Sequence, residues 1–512
     1  MASSLLSIRL GFQDAGVGTN HRDAIAQWRL WHWRRSVCMG ALVIVCLSLL
    51  GNACADSHKI RGEEANPALE ALLNELDAIR TASGVASAGI ALVTRDKIVY
   101  AGGLGNIRWG SPEAVTENTL FRVGSITKSF VGLTAIALSR SERHLFDEPI
   151  ARTLPALLRP SAQAQSVRLA ELLEHTAGLS DLSREEFAFQ GEHVTFAQAI
   201  DIDPSTRQLS WPASRHSSYS NAGYGMAGYV LEARFGQPFE QLVHDVLLDP
   251  LEMRNAGFFV TPQSPVLAAG YDTDGKTPIP YWHMIYRSFG GLNATSRDMG
   301  LFVNALLQPI SNNGLFRSTS ERTRFENPST TLASRTGLEY GYGLGSYHWF
   351  RDGHRFHGHG GDADGYLSHY GYSNEAGVGY FVVITAFNKK PLNAMRESIE
   401  QFLLETYADA PNETRPTPTL ESGHLSSLTG EFAAVTRRFG QVNTQEPVLT
   451  IAMRNGRLET QYNGRRLALL PVNERHFRRP WQPDATYAFI EDGSDLYFQG
   501  DIGNFKRLRR TR

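Results

Sequence analysis

Apolar residues recur at three- and four-residue spacing in "NPALEALLNELDAIR" (66–80), where Leu69, Leu72, Leu73, Leu76 and Ile79 share one face; the pattern predicts an amphipathic helix capped by Asn66. The period then shortens. "SAGIALVTRDKIVYAGGLG" (87–105) reads as two strands joined near Arg95-Asp96. From Ser125 to about Gly345 the texture is mainly helical and loop-rich, with prolines and glycines interrupting each run. Within it Phe130, Val131, Leu133, Ile136 and Leu138 cover most of a helix circumference, which predicts a buried helix. Strand character returns in "GYLSHYGYS" (365–373) and "VGYFVVITAF" (378–387), ahead of a helical "MRESIEQFLLETYA" (395–408). One α+β layer is therefore expected from both ends of this region, with the helical middle inserted into it.

A break follows at "DAPNETRPTPTLESGHLS" (409–426), where Pro411, Pro416 and Pro418 among polar residues give the composition of an extended linker. Beyond it short alternating runs, "VLTIAM", "RLETQY", "TYAFI" and "LYFQG", lie near the turn signals Asn455-Gly456, Asn463-Gly464 and Asp492-Gly493. They predict a small antiparallel, barrel-like β domain. The expected divisions are an N-terminal extension with a signal segment (1–55), a large α+β domain (65–408), a linker (409–426) and the β domain (427–512). The last carries no dense set of chemical residues and reads as an accessory or packing domain.

Composition narrows the class. The chain has 512 residues, 42% hydrophobic and 20% charged, with a formal net charge of −2, which describes a folded globular protein rather than a polyelectrolyte that binds nucleic acid. The basic tail Lys506, Arg507, Arg509, Arg510 and Arg512 is too short to change that. Cys38, Cys46 and Cys54 are the three cysteines, all in the N-terminal stretch, so the folded part has no disulfide framework. There Arg34 and Arg35 precede an apolar run to Gly51 and the triplet Ala53-Cys54-Ala55. The run is short for a span of about 20 residues, which points to a signal peptide cleaved after Ala55 and export to a periplasm. Lipidation at Cys54 or an uncleaved anchor stays open, and with it a peripheral association with membrane or cell wall.

The chemistry begins at "FRVGSITKSF" (121–130). Seven lysines stand against 43 arginines, yet a lysine follows Ser125 by three residues. If a helix starts near Ser125, that spacing puts Lys128 on the same face one turn later. A serine hydroxyl needs a base, and a buried lysine can surrender its proton where arginine cannot. Tyr219-Ser220-Asn221 lies on a turn before a glycine-rich helix and would point a phenol and an amide into a cleft. His359-Gly360-Gly361 precedes an alternating strand, where glycines let a ligand approach backbone N–H groups. Each of these residues, taken singly, also fits a plain packing role.

Together the segments are ordered. "SITK", "HTAGL" (175–179), "YSNAGY", "GGLNATSRDM" (290–299), "YGYGLG" (340–345) and "HGGDADG" resemble, in sequence, the serine β-lactamase and penicillin-binding protein superfamily, in the branch with class C β-lactamases, D-alanyl-D-alanine carboxypeptidases, D-peptidases and esterases. The likeness spans roughly residues 65 to 408. It implies an α+β fold of the β-lactamase/transpeptidase type, an antiparallel sheet flanked by helices plus a helical domain, with the site in the cleft between them and an acyl-serine intermediate. By motif, Ser125 resembles the nucleophile, Lys128 the adjacent base and Tyr219 the acid/base. Asn221 would bond substrate and lysine, and His359 would assist electrostatically. Gly361 would allow close approach, and the N–H groups of Ser125 and Asp362 would form an oxyanion hole. The final β domain resembles the lipocalin-like appendages of some relatives. The resemblance implies no cofactor and no metal.

One departure bears on substrate. Relatives that bind penicillins or peptide carboxylates carry a hydroxyl residue at the position of Gly360. Asp362 and Asp364 follow and, if they face the cleft, would repel a carboxylate. An ester, amide or peptide bond in a neutral small molecule or peptide is then the expected target, with penicillins or peptidoglycan peptides as the alternative. Two rivals remain: a metal hydrolase built on His354, His357, His359, Asp362 and Asp364, and a non-hydrolytic penicillin-binding or sensor module.

Overall fold

The computed structural model describes residues 66–509 except 162, 190–193, 410, 412–415 and 440–447. The predicted signal segment lies outside the described residues. Helix α1 (Pro67–Ala82) begins directly after Asn66, and the first hairpin is β1 (Ser87–Thr94) and β2 (Ile98–Gly105), as the pattern predicts. The sheet is completed late in the chain by β3 (Tyr347–Arg351), β4 (His354–Ala363), β5 (Tyr366–Ser373) and β6 (Val378–Ile384). Its order is β2-β1-β6-β5-β4-β3, antiparallel throughout, with Ile90 opposite Val382 where the two ends of the domain meet.

The sheet is buried on both faces, which explains its near-continuous apolar strands. Ala88, Ile90 and Leu92 of β1 and Tyr380, Val382 and Ile384 of β6 face α1 and α5 (Lys389–Tyr407). Ala91, Val93, Phe381 and Val383 face the other way, toward the helical region. That region contains α2 (Thr127–Ser139), α3 (Asn221–Phe235) and α4 (Ser296–Leu307). Phe130, Val131, Leu133 and Ile136 of α2 are buried as expected.

Two strands of this six-stranded sheet were not foreseen. His359-Gly360-Gly361 does not precede a strand but lies inside β4, whose sequence "HRFHGHGGDA" is too rich in histidine and glycine to give an apolar alternation. Strand β3 pairs with β4 only from Arg351 opposite His354 to Tyr347 opposite Gly358. From His359 onward the outer edge of β4 has no strand beside it among the described residues.

The C-terminal part is a closed eight-stranded antiparallel barrel: β7 (Gly430–Ala434), β8 (Leu449–Arg454), β9 (Arg457–Tyr462), β10 (Arg465–Pro471), β11 (His476–Arg478), β12 (Tyr487–Asp492), β13 (Asp495–Gly500) and β14 (Gly503–Arg507). Phe432, Phe477, Phe489, Phe498 and Phe505 fill it. Asn455-Gly456 and Asn463-Gly464 take positive φ at both central positions, the two-residue turn that matches strand twist. The third turn is shifted by one residue. Asp492 still pairs with Asp495, so Gly493-Ser494 is the turn, with Gly493 at φ 60°.

The barrel is docked, not tethered. Ala488, Ile490 and Tyr497 pack on Leu332, Ala333 and Leu338. Gln499 Nε2 donates to the carbonyl of Arg215 (3.0 Å), Asn504 Nδ2 donates to that of Ser217 (2.7 Å), and Arg215 pairs with Asp492. All three contacts fall on the stretch that leads into Tyr219.

Candidate active site

Ser125 lies in a 3-10 turn, Gly124–Ile126, and α2 begins two residues later at Thr127. The helix thus starts just after the serine. Gly124 has φ 54°, and a Cβ there would stand 2.8–2.9 Å from the backbone of Asp362. A glycine is required because β4 presses its main chain against the turn.

Lys128 is 0% exposed. Its Nζ donates to Ser125 Oγ (3.0 Å) and to the carbonyl of Phe289 (2.6 Å), two neutral acceptors. Burial pushes its pKa well below the ordinary lysine range; the attraction of Asp181 opposes this and the charge of Arg438 adds to it. Tyr219 shares a hydrogen bond with Ser125, and burial drives its pKa upward. The pair favours a neutral amine beside a neutral phenol, with both groups on one serine oxygen.

The ring of Tyr219 is held by His175, whose centroid is 4.3 Å away, and Tyr342 crosses it at 6.3 Å. Ser220 N donates to His175 Nδ1 (3.0 Å), so that nitrogen is an acceptor. His175 and Tyr342 carry the "HTAGL" and "YGYGLG" segments but had no role of their own in the sequence reading. His359 is neutral, its pKa lowered to about 3 chiefly by burial. Its Nδ1 donates to the carbonyl of Gly360 (2.5 Å), which leaves Nε2 to accept from Tyr342 Oη (2.7 Å). It supplies no positive charge; it fixes Tyr342.

Asn221 also differs from expectation. Its N donates to Asp181 Oδ1 (2.7 Å) and its Nδ2 to Asp181 Oδ2 (3.3 Å), while Oδ1 is buried without a partner. It makes no hydrogen bond to Lys128 among the described residues. Gly361 is packed so tightly that a Cβ would stand 2.0 Å from the carbonyl oxygen of Val123. Gly360 N donates outward to Tyr347 Oη (3.1 Å), and Ser368 Oγ on β5 lies 3.5 Å from the carbonyl of Gly361. By the two-residue alternation of a strand, the N–H of Asp362 points the same way as that of Gly360, to the uncovered edge beside Ser125. This edge runs past the Gly124–Ile126 turn, against whose Gly124 the backbone of Asp362 packs.

Asp362 does face the cleft, but Lys389 Nζ stands 3.0 Å from its carboxylate. The charge counted from sequence as free is therefore partly offset. Among the described residues no group of three or more His, Cys, Asp or Glu side chains is placed to hold a metal ion.

These side chains line a cavity of about 490 Å³ that holds Ser125, Tyr219, Asn221, His359, Asp362 and one residue from the barrel, Arg438. Nothing in the sequence signalled Arg438, which lies between β7 and β8 in a domain read as accessory. Its Nε donates to Asp181 Oδ2 (2.7 Å), its carbonyl accepts from Asp181 N (2.7 Å), and its guanidinium lies 4.6 Å from the Tyr219 ring centroid.

The profile of the beta-lactamase family matches residues 69–404. The chain belongs to the beta-lactamase family. A beta-lactamase from Pseudomonas fluorescens is 31% identical over 198 residues, 38% of this chain and 51% of that protein. Esterase EstB of Burkholderia gladioli is 31% identical over 183 residues, 33% of this chain and 46% of the esterase. In both, the chain spans about half of the relative's length. Among solved structures, the octameric penicillin-binding protein homologue from Pyrococcus abyssi superposes with a TM-score of 0.56 at 19% identity, over 86% of this chain and all of its own. The D-amino acid amidase from Ochrobactrum anthropi SV3, complexed with D-phenylalanine, gives 0.55 at 20% identity over 66% of this chain and 99% of its own. These two likenesses establish the fold of this beta-lactamase-family member.

Proposed function

We propose that the protein is a serine hydrolase that cleaves an ester, amide or peptide bond through an acyl-enzyme on Ser125. The observation that carries this is the buried Lys128 with Nζ 3.0 Å from Ser125 Oγ and, among the described residues, only neutral hydrogen-bond acceptors. As a neutral amine it takes the serine proton while Oγ bonds to the substrate carbonyl carbon. Negative charge then develops on the carbonyl oxygen, where the N–H groups of Ser125 and Asp362 are the donors; such a donor contributes about 3 to 4 kcal/mol to the transition state. The bond to the leaving group breaks, and Tyr219 passes that group a proton drawn from Lys128. Water repeats the sequence in reverse and frees Ser125. The relatives named as an esterase, an amidase and a beta-lactamase support this range of acyl transfers.

A second reading, hydrolysis of penicillins or of peptidoglycan peptides, is favoured by one observation: Lys389 beside Asp362 weakens the repulsion of a carboxylate. The test is parallel labelling of the full-length protein with a fluorophosphonate and a penicillin probe, with peptide mapping of the adduct. Labelling of the Ser125 peptide, abolished in Ser125→Ala, is expected. An adduct confined to another peptide would refute the assignment, and turnover of the penicillin would decide for the second reading.

A further inference from the structure

Past the end of β3, the next outward position on the edge of β4 is Gly360, and both of its backbone groups already carry a hydrogen bond. Tyr347 sits opposite Gly358 in the strand register, and its side chain reaches one position further, where Oη accepts from Gly360 N (3.1 Å). The carbonyl of Gly360 accepts from His359 Nδ1 (2.5 Å). The phenol of Tyr347 is itself held from the far face of the sheet. Tyr380 on β6 donates to Glu400 Oε1 on α5 (2.7 Å), so its oxygen accepts from His369 Nδ1 on β5 (3.0 Å). Burial keeps the His369 ring neutral, and its Nε2 is therefore an acceptor, facing Tyr347 Oη (3.5 Å) and Arg396 Nη1 (3.4 Å). Glu400 is 0% exposed and is fixed by Trp349 Nε1 (3.1 Å) and Arg351 Nε (2.9 Å). The hydrogen bonds run in one direction, from the Gly360 N–H at the cleft to a buried carboxylate behind the sheet.

A substrate bound as an added strand needs those two groups. An extended chain pairs with a strand edge at every second residue, exchanging N–H and C=O with each outward position. With its reacting carbonyl at Asp362 N, such a chain meets Gly360 at its next pairing position. Tyr219 is the proton donor to the departing group in the reading above, on which this inference rests, and its ring centroid lies 6.3 Å from that of His359. The departing part therefore lies at the His359–Gly360 end of β4, where Tyr347, Gly360 and His369 line the cavity. We propose that Tyr347 is a specificity-determining residue that ends the usable edge of β4 at Asp362, and so directs the hydrolase to esters and amides with a compact departing part and away from bonds inside an extended peptide. His369, Tyr380 and Glu400 are positioning residues that keep the phenol from swinging aside.

Two esters of phenylacetic acid test this, one releasing glycolamide and one releasing glycolyl-glycyl-glycinamide, which prolongs the departing part as an extended chain. In the full-length wild type, kcat/KM for the longer ester should lie below that of the shorter or within about threefold of it, less than a full set of ladder bonds would give. Tyr347→Ala should raise the long-to-short ratio by about 2- to 10-fold, the range of one net hydrogen bond. Tyr347→Phe frees the Gly360 N–H but keeps the ring, and should raise it by less. Tyr380→Phe lies behind the sheet and should shift the ratio in the same direction; an unmoved ratio there overturns the positioning role. Lengthening the acyl part instead, with the p-nitrophenyl esters of acetylglycine and acetyltriglycine, should give one ratio in wild type and in Tyr347→Ala alike. A wild type that prefers the longer departing part by more than about threefold overturns the inference. So does a ratio that folded Tyr347→Ala and Tyr347→Phe both leave unchanged, or an equal shift in the two series, which would report a general change in the cleft. Fluorophosphonate labelling of Ser125 with an unmoved ratio rejects the stop and leaves the hydrolase reading intact; absence of both labelling and turnover rejects the two together.

Discussion

Adjacent glycines on β4 make opposite predictions, and the contrast isolates the oxyanion hole. A Cβ on Gly361 would stand 2.0 Å from the carbonyl oxygen of Val123 and 2.3 Å from Ser368 Oγ. The serine side chain can rotate, but the Val123 carbonyl is main chain two residues before Ser125. Relief to an ordinary contact of 3.4 Å or more therefore moves β4 off the serine turn by more than about 1 Å, a displacement that costs about 10²-fold in rate. Loss of an oxyanion donor costs about 10²- to 10³-fold, so kcat/KM of Gly361→Ala should fall by about that range. A Cβ on Gly360 meets nothing nearer than Tyr347 Oη at 3.4 Å and His369 at 3.5 Å, so Gly360→Ala should keep most of the activity. The assay is turnover of a p-nitrophenyl ester together with the second-order rate of fluorophosphonate labelling, on protein whose melting curve shows it folded. A folded Gly361→Ala that labels and turns over within threefold of wild type would refute the placement of the Asp362 N–H at the oxyanion.

Lys128→Arg puts a permanently protonated group where the neutral amine stands, and it should lower the acylation rate by about 10³-fold or more; near-normal labelling would remove the lysine from the base role. Tyr219→Phe keeps the ring against His175 and should cost about 10²- to 10⁴-fold in kcat, with the larger loss expected for poorer leaving groups. Burial lowers the pKa of His357 to about 3, so the unfolded chain binds a proton that the fold does not between pH 6.5 and 3, and stability is lost as pH falls through that window. Chemical denaturation of wild type and His357→Asn should show the variant gaining about 2 kcal/mol relative to wild type between pH 7 and pH 5; a difference independent of pH would contradict the neutral buried ring. Activity should survive chelation by EDTA, and its loss with recovery on adding zinc would revive the metal reading.

The parts of this molecule that were legible in its sequence are those in which one residue's neighbours along the chain are also its neighbours in space. The helix of Leu69 to Ile79, the hairpin at Arg95-Asp96 and the Asn-Gly turns of the barrel obey local rules. The Ser125 to Lys128 contact is of the same kind, one turn apart. Strand β4 was hidden because its residues are chosen for the cleft: glycines where main chain meets the Val123–Ser125 turn, and a histidine that fixes Tyr342. The hydrogen bonds of Asn221 to Asp181 could not be read because the two lie 40 residues apart, with Asp181 just past the end of the "HTAGL" segment. Arg438 was invisible for a stronger reason. Its meaning depends on the packing of the barrel against the sheet-and-helix part, which no local pattern encodes.

That docking has a consequence for the order in which the protein comes into being. During synthesis the stretch carrying Ser125, Lys128 and Tyr219 leaves the ribosome well before the barrel, and Asp181 then lies beside Tyr219 and Asn221 without its arginine. An unneutralised carboxylate at that point disfavours burial, so the segment leading into Tyr219 has reason to stay loose until Arg438, Gln499 and Asn504 arrive to clamp it. The barrel, made after the cleft, is then the part that completes it.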